Sequence, residues 1–185
     1  MIHETHKKRL KKLAGIISEN KEATDKNDAS FLRTGVGMIL KLKPEELNKV
    51  MSLDVPTVDL TTNQNMSKLS SDNIHVTLNS IKNFKPFKDD FKDYVLPQEI
   101  DLPSIQIGEC KFVHRTDSNK VTYVLSLANQ EEFKTFVDRV YKSLGLENPE
   151  QDRFYHITLA NNEGGNPFKS IGDVTKKDFN KWKTN

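Results

Sequence analysis

Cysteine is almost absent: Cys110 is the only one in 185 residues. That excludes an intrachain disulfide framework and a cysteine-ligated zinc ribbon, and it is the usage expected of a reducing, cytoplasmic setting. Lying in a strand-like run, Cys110 reads as a small packing residue rather than a nucleophile. A surplus of either charge is missing too. Lys and Arg total 28 and Asp and Glu 26, a net of +2, too little for a protein that coats a polyanion, so any contact with nucleotide or nucleic acid has to be local. Long apolar runs are also lacking. Nothing approaches about 18 consecutive apolar residues, and the basic start MIHETHKKRLKKLAGIISENKE has no apolar core of a secretory signal, so neither a membrane span nor a signal peptide is expected. A hydrophobic content of 35% with ten Phe still supports a modest core, and the length fits one domain with a short extension.

Residues 1–30 read as a basic helical extension, with Leu10, Leu13, Ile16 and Ile17 at helical spacing among lysines. Residues 31–185 read as the domain. Thr34 to Leu42 has strand character, and its glycines would let the backbone approach a neighbour closely. Pro44-Glu45-Glu46 opens a short helix ending near Met51. Residues 54–73 are polar and turn-rich, and a strand follows from Asn73 to Ile81. The stretch around 84–97 reads as a short helix or a packed loop. Ile105–Arg115 and Lys120–Ala128 form a hairpin across Thr116-Asp117-Ser118-Asn119. Phe133, Phe136, Val137, Val140, Tyr141 and Leu144 mark a helix that stops at Gly145. A strand from Arg153 to Asn161, a glycine loop and a last helix from Lys176 to Trp182 complete the chain. Strands and helices do not alternate regularly, so the expected class is α+β, with an antiparallel or mixed sheet and helices packed against it.

Two segments share one pattern. Ile74-His75-Val76-Thr77-Leu78 and Tyr155-His156-Ile157-Thr158-Leu159 both run apolar, His, β-branched, Thr, Leu. In a strand, residues two apart face the same side, so each imidazole and its Thr hydroxyl point together while Val76 or Ile157 packs oppositely. Brought together, two such strands supply two proton carriers and two hydroxyls, the set needed to clasp a phosphate and move protons on both sides of it. The tripeptide alone is a weak signal. Chance placement gives roughly 0.35 His-x-Thr among five histidines, and four occur, including His3-Glu4-Thr5 and His114-Arg115-Thr116. Those two have charged middle residues and sit at a chain end or beside a turn, so neither is expected in catalysis. A lone strand histidine is most often simply hydrogen-bonded structure; the matched pair carries the functional reading. Two histidines without a third ligand at metal-site spacing favour chemistry without a metal or other cofactor.

These motifs resemble the 2H phosphoesterases, a family with two His-x-Thr/Ser motifs on strands of two pseudo-symmetric lobes. The resemblance spans roughly residues 34–161 and is most specific at IHVTL and YHITLAN, while ANNEGGNPFKSIGD is similar to the phage branch that includes anti-CBASS cyclic-oligonucleotide phosphodiesterases. It implies a bilobal fold around a central cleft. It also implies catalysis by His75, Thr77, His156 and Thr158: one His takes a proton from a ribose 2′-OH or water, the other protonates the departing ribose oxygen, and the threonines hold phosphate oxygens. Beside it, Gly164, Gly165 and Asn166 offer backbone N–H groups, and Lys169 and Ser170 polar side chains, to a substrate, or else form a plain surface turn. Tyr155 should pack. Phe84, Phe87 and Tyr94 could stack on bases or belong to the core rim, and Arg33 and Lys41 flank the glycine-containing strand. Three functions stay open: hydrolysis of cyclic oligonucleotides, RNA processing through 2′,3′-cyclic phosphates, and nucleotide binding without turnover. No membrane or protein partner is implied.

Overall fold

The β-branched runs of the sequence become strands, and all but a small two-stranded ladder join into one sheet. The computed structural model describes residues 31–34 and 37–181. The basic helix expected before residue 31, the side chain of Arg33, and Trp182 lie outside them. Strands β1 (Phe31–Thr34) and β2 (Gly37–Lys41) form a hairpin and lead to helix α1 (Pro44–Met51). The short strands β3 (Val58–Asp59), β4 (Gln64–Asn65) and β5 (Ser67–Lys68) precede β6 (His75–Ser80), which runs into the short helix α2 (Ile81–Phe84). A second hairpin, β7 (Ile107–Arg115) and β8 (Lys120–Leu127), is followed by α3 (Gln130–Ser143), β9 (His156–Asn161) and α4 (Lys176–Lys181). The seven-stranded sheet has the order β1-β2-β6-β9-β8-β7, with β5 also on β9, and every pairing is antiparallel. The protein is α+β.

That order is palindromic. Each half is a hairpin, a helix and a returning strand: β1-β2-α1-β6 and β7-β8-α3-β9. The returning strands meet in the middle, and each begins with one of the two motifs. Both helices lie over the same sheet face, where Val50 of α1 and Phe133, Phe136, Val137, Val140 and Tyr141 of α3 are buried against Met38, Leu40, Val76, Leu78, Leu125, Ile157 and Leu159. Each such side chain contributes about 1.5–3 kcal/mol on burial. Tyr155, 2% exposed, belongs to this core with its ring 5.5 Å from that of Phe133. The motif histidines and threonines are left on the other face, by the alternation of strand side chains.

Local chemistry accounts for the boundaries. Pro44 occupies the first turn of α1, and Glu46 accepts from the Lys43 N–H at 2.9 Å and from the Ile105 N–H at 3.0 Å. The helix α3 ends where Gly145, at φ 71°, turns the chain. The single strand expected over Thr34–Leu42 is instead the end of β1, a reversal and β2. Gly37 adopts φ 119°, and a Cβ there would lie 2.3 Å from the Asn79 carbonyl oxygen. The close approach read from its glycine is therefore made to β6. The polar stretch 54–73 holds the small β3/β4 ladder and β5, and the stretch 84–97 is a packed loop with one 3-10 turn at Lys85–Phe87. No described helix is long and apolar enough to cross a membrane. Gly37→Ala should lower stability by about 1–3 kcal/mol, measured as a reduced urea midpoint at unchanged m-value; an unshifted midpoint would show that the hairpin tolerates a Cβ there.

Candidate active site

The two motif strands touch through one recorded residue pair, Val76 opposite Ile157. In an antiparallel pair this register sets His75 opposite Thr158 and Thr77 opposite His156. All four side chains leave the face opposite to Val76 and Ile157, whose own side chains are fully buried. The result is a two-by-two array with the imidazoles on one diagonal and the hydroxyls on the other. Diagonal neighbours in such a ladder lie about 7–8 Å apart, which leaves room for one tetrahedral group between the rings. The neighbouring strands extend the rows: Lys41 and Ile39 of β2 stand opposite His75 and Thr77, and Val124 and Ser126 of β8 opposite Thr158 and His156.

The two imidazoles are held alike. His156 Nδ1 donates to the carbonyl of Phe154 at 3.0 Å, and His75 hydrogen-bonds the backbone of Asn73, in each case two residues back along the chain. Nδ1–H of His156 is thereby fixed, so the neutral ring turns a free Nε2 lone pair outward. His156 is 6% exposed and lies parallel to the Phe154 ring, 6.1 Å between centroids. Its burial, with lesser help from Arg153 and His75, pushes its pKa down to about 4. His75 is only partly buried; burial and then the Lys41 charge lower its pKa as well. Both rings are therefore neutral near pH 7, as bases must be before they accept a proton.

A network missed in the sequence braces the seam between the motifs. Arg153 donates from Nε to the Thr77 carbonyl at 2.8 Å, from one terminal nitrogen to Glu150 at 3.0 Å and from the other to the Gly172 carbonyl at 3.3 Å. Glu150 in turn accepts from the Ser80 N–H at 2.6 Å and from Asn79 at 3.1 Å. Arg153 and Ser80 hold Glu150 ionised below its ordinary range against the opposing effect of burial. The arginine thus fastens the first motif's Thr77 to the approach of the second. Its only sequence signal is a charged residue three places before His156.

Asn161 organises the glycine loop. Register with β8 slips by one residue between Tyr123 and Val124, and this bulge returns Asn161 to the motif face. Fully buried, it accepts from the N–H groups of Glu163 and Gly165 at 3.1 and 2.9 Å and donates to the Asn166 carbonyl and Ser170 hydroxyl, each at 2.8 Å. Of the residues expected to bind substrate, Gly165 therefore spends its N–H on Asn161, whereas the Ser170 hydroxyl accepts from Asn161 and keeps its own O–H proton. Asn166 accepts from the Phe168 N–H at 3.1 Å, and the Lys169 ammonium stands 3.4 Å from Glu163. Asn161 thereby anchors the loop on the motif side of the sheet.

The remaining candidates lie elsewhere. His114, not expected in catalysis, bonds the buried Asp59 at 2.9 Å and ties the β3/β4 ladder to β7. Phe84 and Phe87 pack against Phe91 and Tyr141, and Tyr94 bonds Ser143, on or beside the helical face. Cys110 is half-buried, with its thiol pKa raised by burial. A hollow lined by Asp101, Leu102 and α3 residues Glu131, Glu132 and Arg139 also lies on the helical side, away from the motifs. No group of three or more His, Cys, Asp or Glu among the described residues is arranged to hold a metal ion. No family model, curated protein or solved structure matches the chain.

Two measurements test this electrostatic frame. Between pH 6.5 and about 4 the unfolded chain protonates His156 while the folded one refuses the proton, so stability should fall as pH drops through that window, by about 3 kcal/mol in all. Urea titrations should show that slope in the wild type and lose that part of it in His156→Gln. Removing one member of the buried Arg153–Glu150 pair strands the other, so Arg153→Met should cost about 3–5 kcal/mol, and Glu150→Gln in the same chain should restore part of it.

Proposed function

We propose that the chain is a metal-independent phosphodiesterase of the 2H type that cleaves 3′-5′ linkages of cyclic oligonucleotide signals, a phage counter-defence activity in the host cytoplasm. The observation that carries this reading is the diagonal array. In-line displacement at phosphorus needs a base and an acid on opposite sides and donors for the nonbridging oxygens between them. Imidazoles on one diagonal and hydroxyls on the other meet both requirements without a further group. The palindromic sheet supports the bilobal description, since each hairpin-helix-strand half delivers one motif to the shared seam.

One imidazole accepts the proton of a ribose 2′-OH or water as that oxygen bonds to phosphorus. The bond to the leaving ribose oxygen breaks, and the other ring, protonated, gives that oxygen its proton. Thr77 and Thr158 donate to the nonbridging oxygens, whose charge grows in the transition state. Burial keeps both rings neutral before substrate binds, so one proton has to arrive for the acid role. The phosphodiester supplies the reason: its negative charge favours imidazolium and raises both pKa values on binding. The optimum of kcat, which reports the loaded site, should therefore lie at higher pH than that of kcat/KM, which reports the free enzyme.

The test is chemical. Purified protein in excess EDTA is incubated with cyclic di- and trinucleotides and with 2′,3′-cyclic mononucleotides, beside His75→Ala and His156→Ala. Cleavage of cyclic oligonucleotides, reduced about 10²- to 10⁴-fold in each variant, is the expected outcome. Cleavage confined to 2′,3′-cyclic phosphates would instead assign an RNA-processing role. Nucleotide retained without turnover would assign a binding module and overturn the acid/base roles.

A further inference from the structure

We propose that Lys41 is the phosphate-binding cation of this site, a role that rests on the phosphodiesterase reading and completes its charge balance. The array itself carries no net charge: two neutral rings and two hydroxyls. A phosphodiester anion drawn out of water onto such a surface loses hydration that neutral donors only partly replace. A fixed cation within reach of the phosphate removes that deficit.

Among the described residues, the cations around the motifs are committed, with one exception. Arg153 is shared among Glu150 and two carbonyls. Lys169 faces Glu163, Lys111 pairs with Glu109 at 3.0 Å and lies over the Phe179 ring, Arg115 bonds Asp173 and Asp178, and Lys68 donates to the Met51 and Leu53 carbonyls. Lys41 has neither a carboxylate nor a carbonyl partner among the described residues. It is exposed, and it occupies the register position opposite His75 on β2. Lys41, His75 and Thr158 thus form one continuous row across three adjacent strands on the motif face. Neighbouring strands lie about 4.8 Å apart, a span a lysine side chain covers, so the ammonium reaches an oxygen of a phosphate seated over His75. After the larger effect of burial, the Lys41 charge also lowers the basicity of His75, in keeping with this placement. The row is asymmetric: on the other side of the array Ser126 stands opposite His156 with its hydroxyl held by Glu109. Lys41 therefore sets the phosphate toward the β2 side and gives substrate a fixed sense across the seam.

Inorganic phosphate is the probe, titrated into the full chain and into Lys41→Met, Lys41→Arg and Lys92→Met, the last an exposed lysine on the loop at 84–97. Loss of one charge-assisted contact corresponds to about 10- to 100-fold. Lys41→Met should weaken phosphate binding and lower kcat/KM for the nucleotide substrate by that factor and flatten the dependence of binding on salt. Lys41→Arg should recover most of it, Lys92→Met should match the wild type, and the melting temperature of Lys41→Met should be unchanged. Equal phosphate affinity in wild type and Lys41→Met overturns the assignment. Weakened phosphate binding in Lys41→Met, alongside undiminished cleavage by His75→Ala, upholds the anion site and removes the catalytic reading instead.

Discussion

One backbone pairing, Val76 against Ile157, decides what this sheet can do. Because side chains alternate with a period of two, a slip of one residue would turn one motif into the helical core and bring Val76 or Ile157 to the surface. The buried neighbours forbid that slip. Val76 and Ile157 belong to the same apolar cluster as Leu78, Leu159 and the inner side of α3, so register and core are one constraint. The placement of two histidines and two threonines on a common face is a by-product of packing that the hydrophobic pattern enforces.

A seam that rests on so short a ladder needs other fastening, and the polar groups beside it provide this. β5 and β6 follow the same edge of β9, yet Ser67 pairs with Asn161 and Val76 with Ile157, so the chain spends extra residues between them in an excursion through the 3-10 turn Ser71–Asn73. That excursion ends at the backbone group that holds His75. At the other end of the seam, Arg153 and Glu150 replace missing ladder bonds with side-chain bonds to Thr77, Ser80 and Asn79. Buried charges of this kind give little net stability, but removing one is expensive, which makes them effective at fixing a single arrangement.

Much of this was legible in the sequence because it depends on local rules. The hairpin at Thr116–Asn119, helix α3 with its glycine stop and the sidedness of each motif follow from turn chemistry and periodicity. The adjacency of β6 and β9 does not, since no local pattern says which strand a strand will neighbour when the motif histidines are 81 positions apart. Residues Thr34 to Leu42 misled for a physical reason: Gly37 serves both as a backbone reversal and as a close approach to Asn79, and only the second use was read. Gly165 looks like a free donor in sequence, but its partner, Asn161, reaches the motif face only through a bulge that alternation alone does not show. Arg153 was invisible because two of its three acceptors, the Thr77 and Gly172 carbonyls, are distant along the chain.

The same burial that orders the array also sets its chemical state. A histidine held in an apolar setting costs little while neutral, so the fold keeps His156 under Phe154, where burial outweighs the opposing influence of Asp173. Storing an imidazolium there would require a carboxylate in direct contact with the ring, and one placed so close to the array would repel a phosphodiester. On the proposed reading the site avoids that conflict by leaving its negative charge to the substrate and its positive charge to Lys41 at the rim. The arriving anion then raises the basicity of both rings at the moment when one of them has to hold a proton. A site built this way discriminates against neutral ligands before any shape is tested, because only an anion brings it to the protonation state that the chemistry needs.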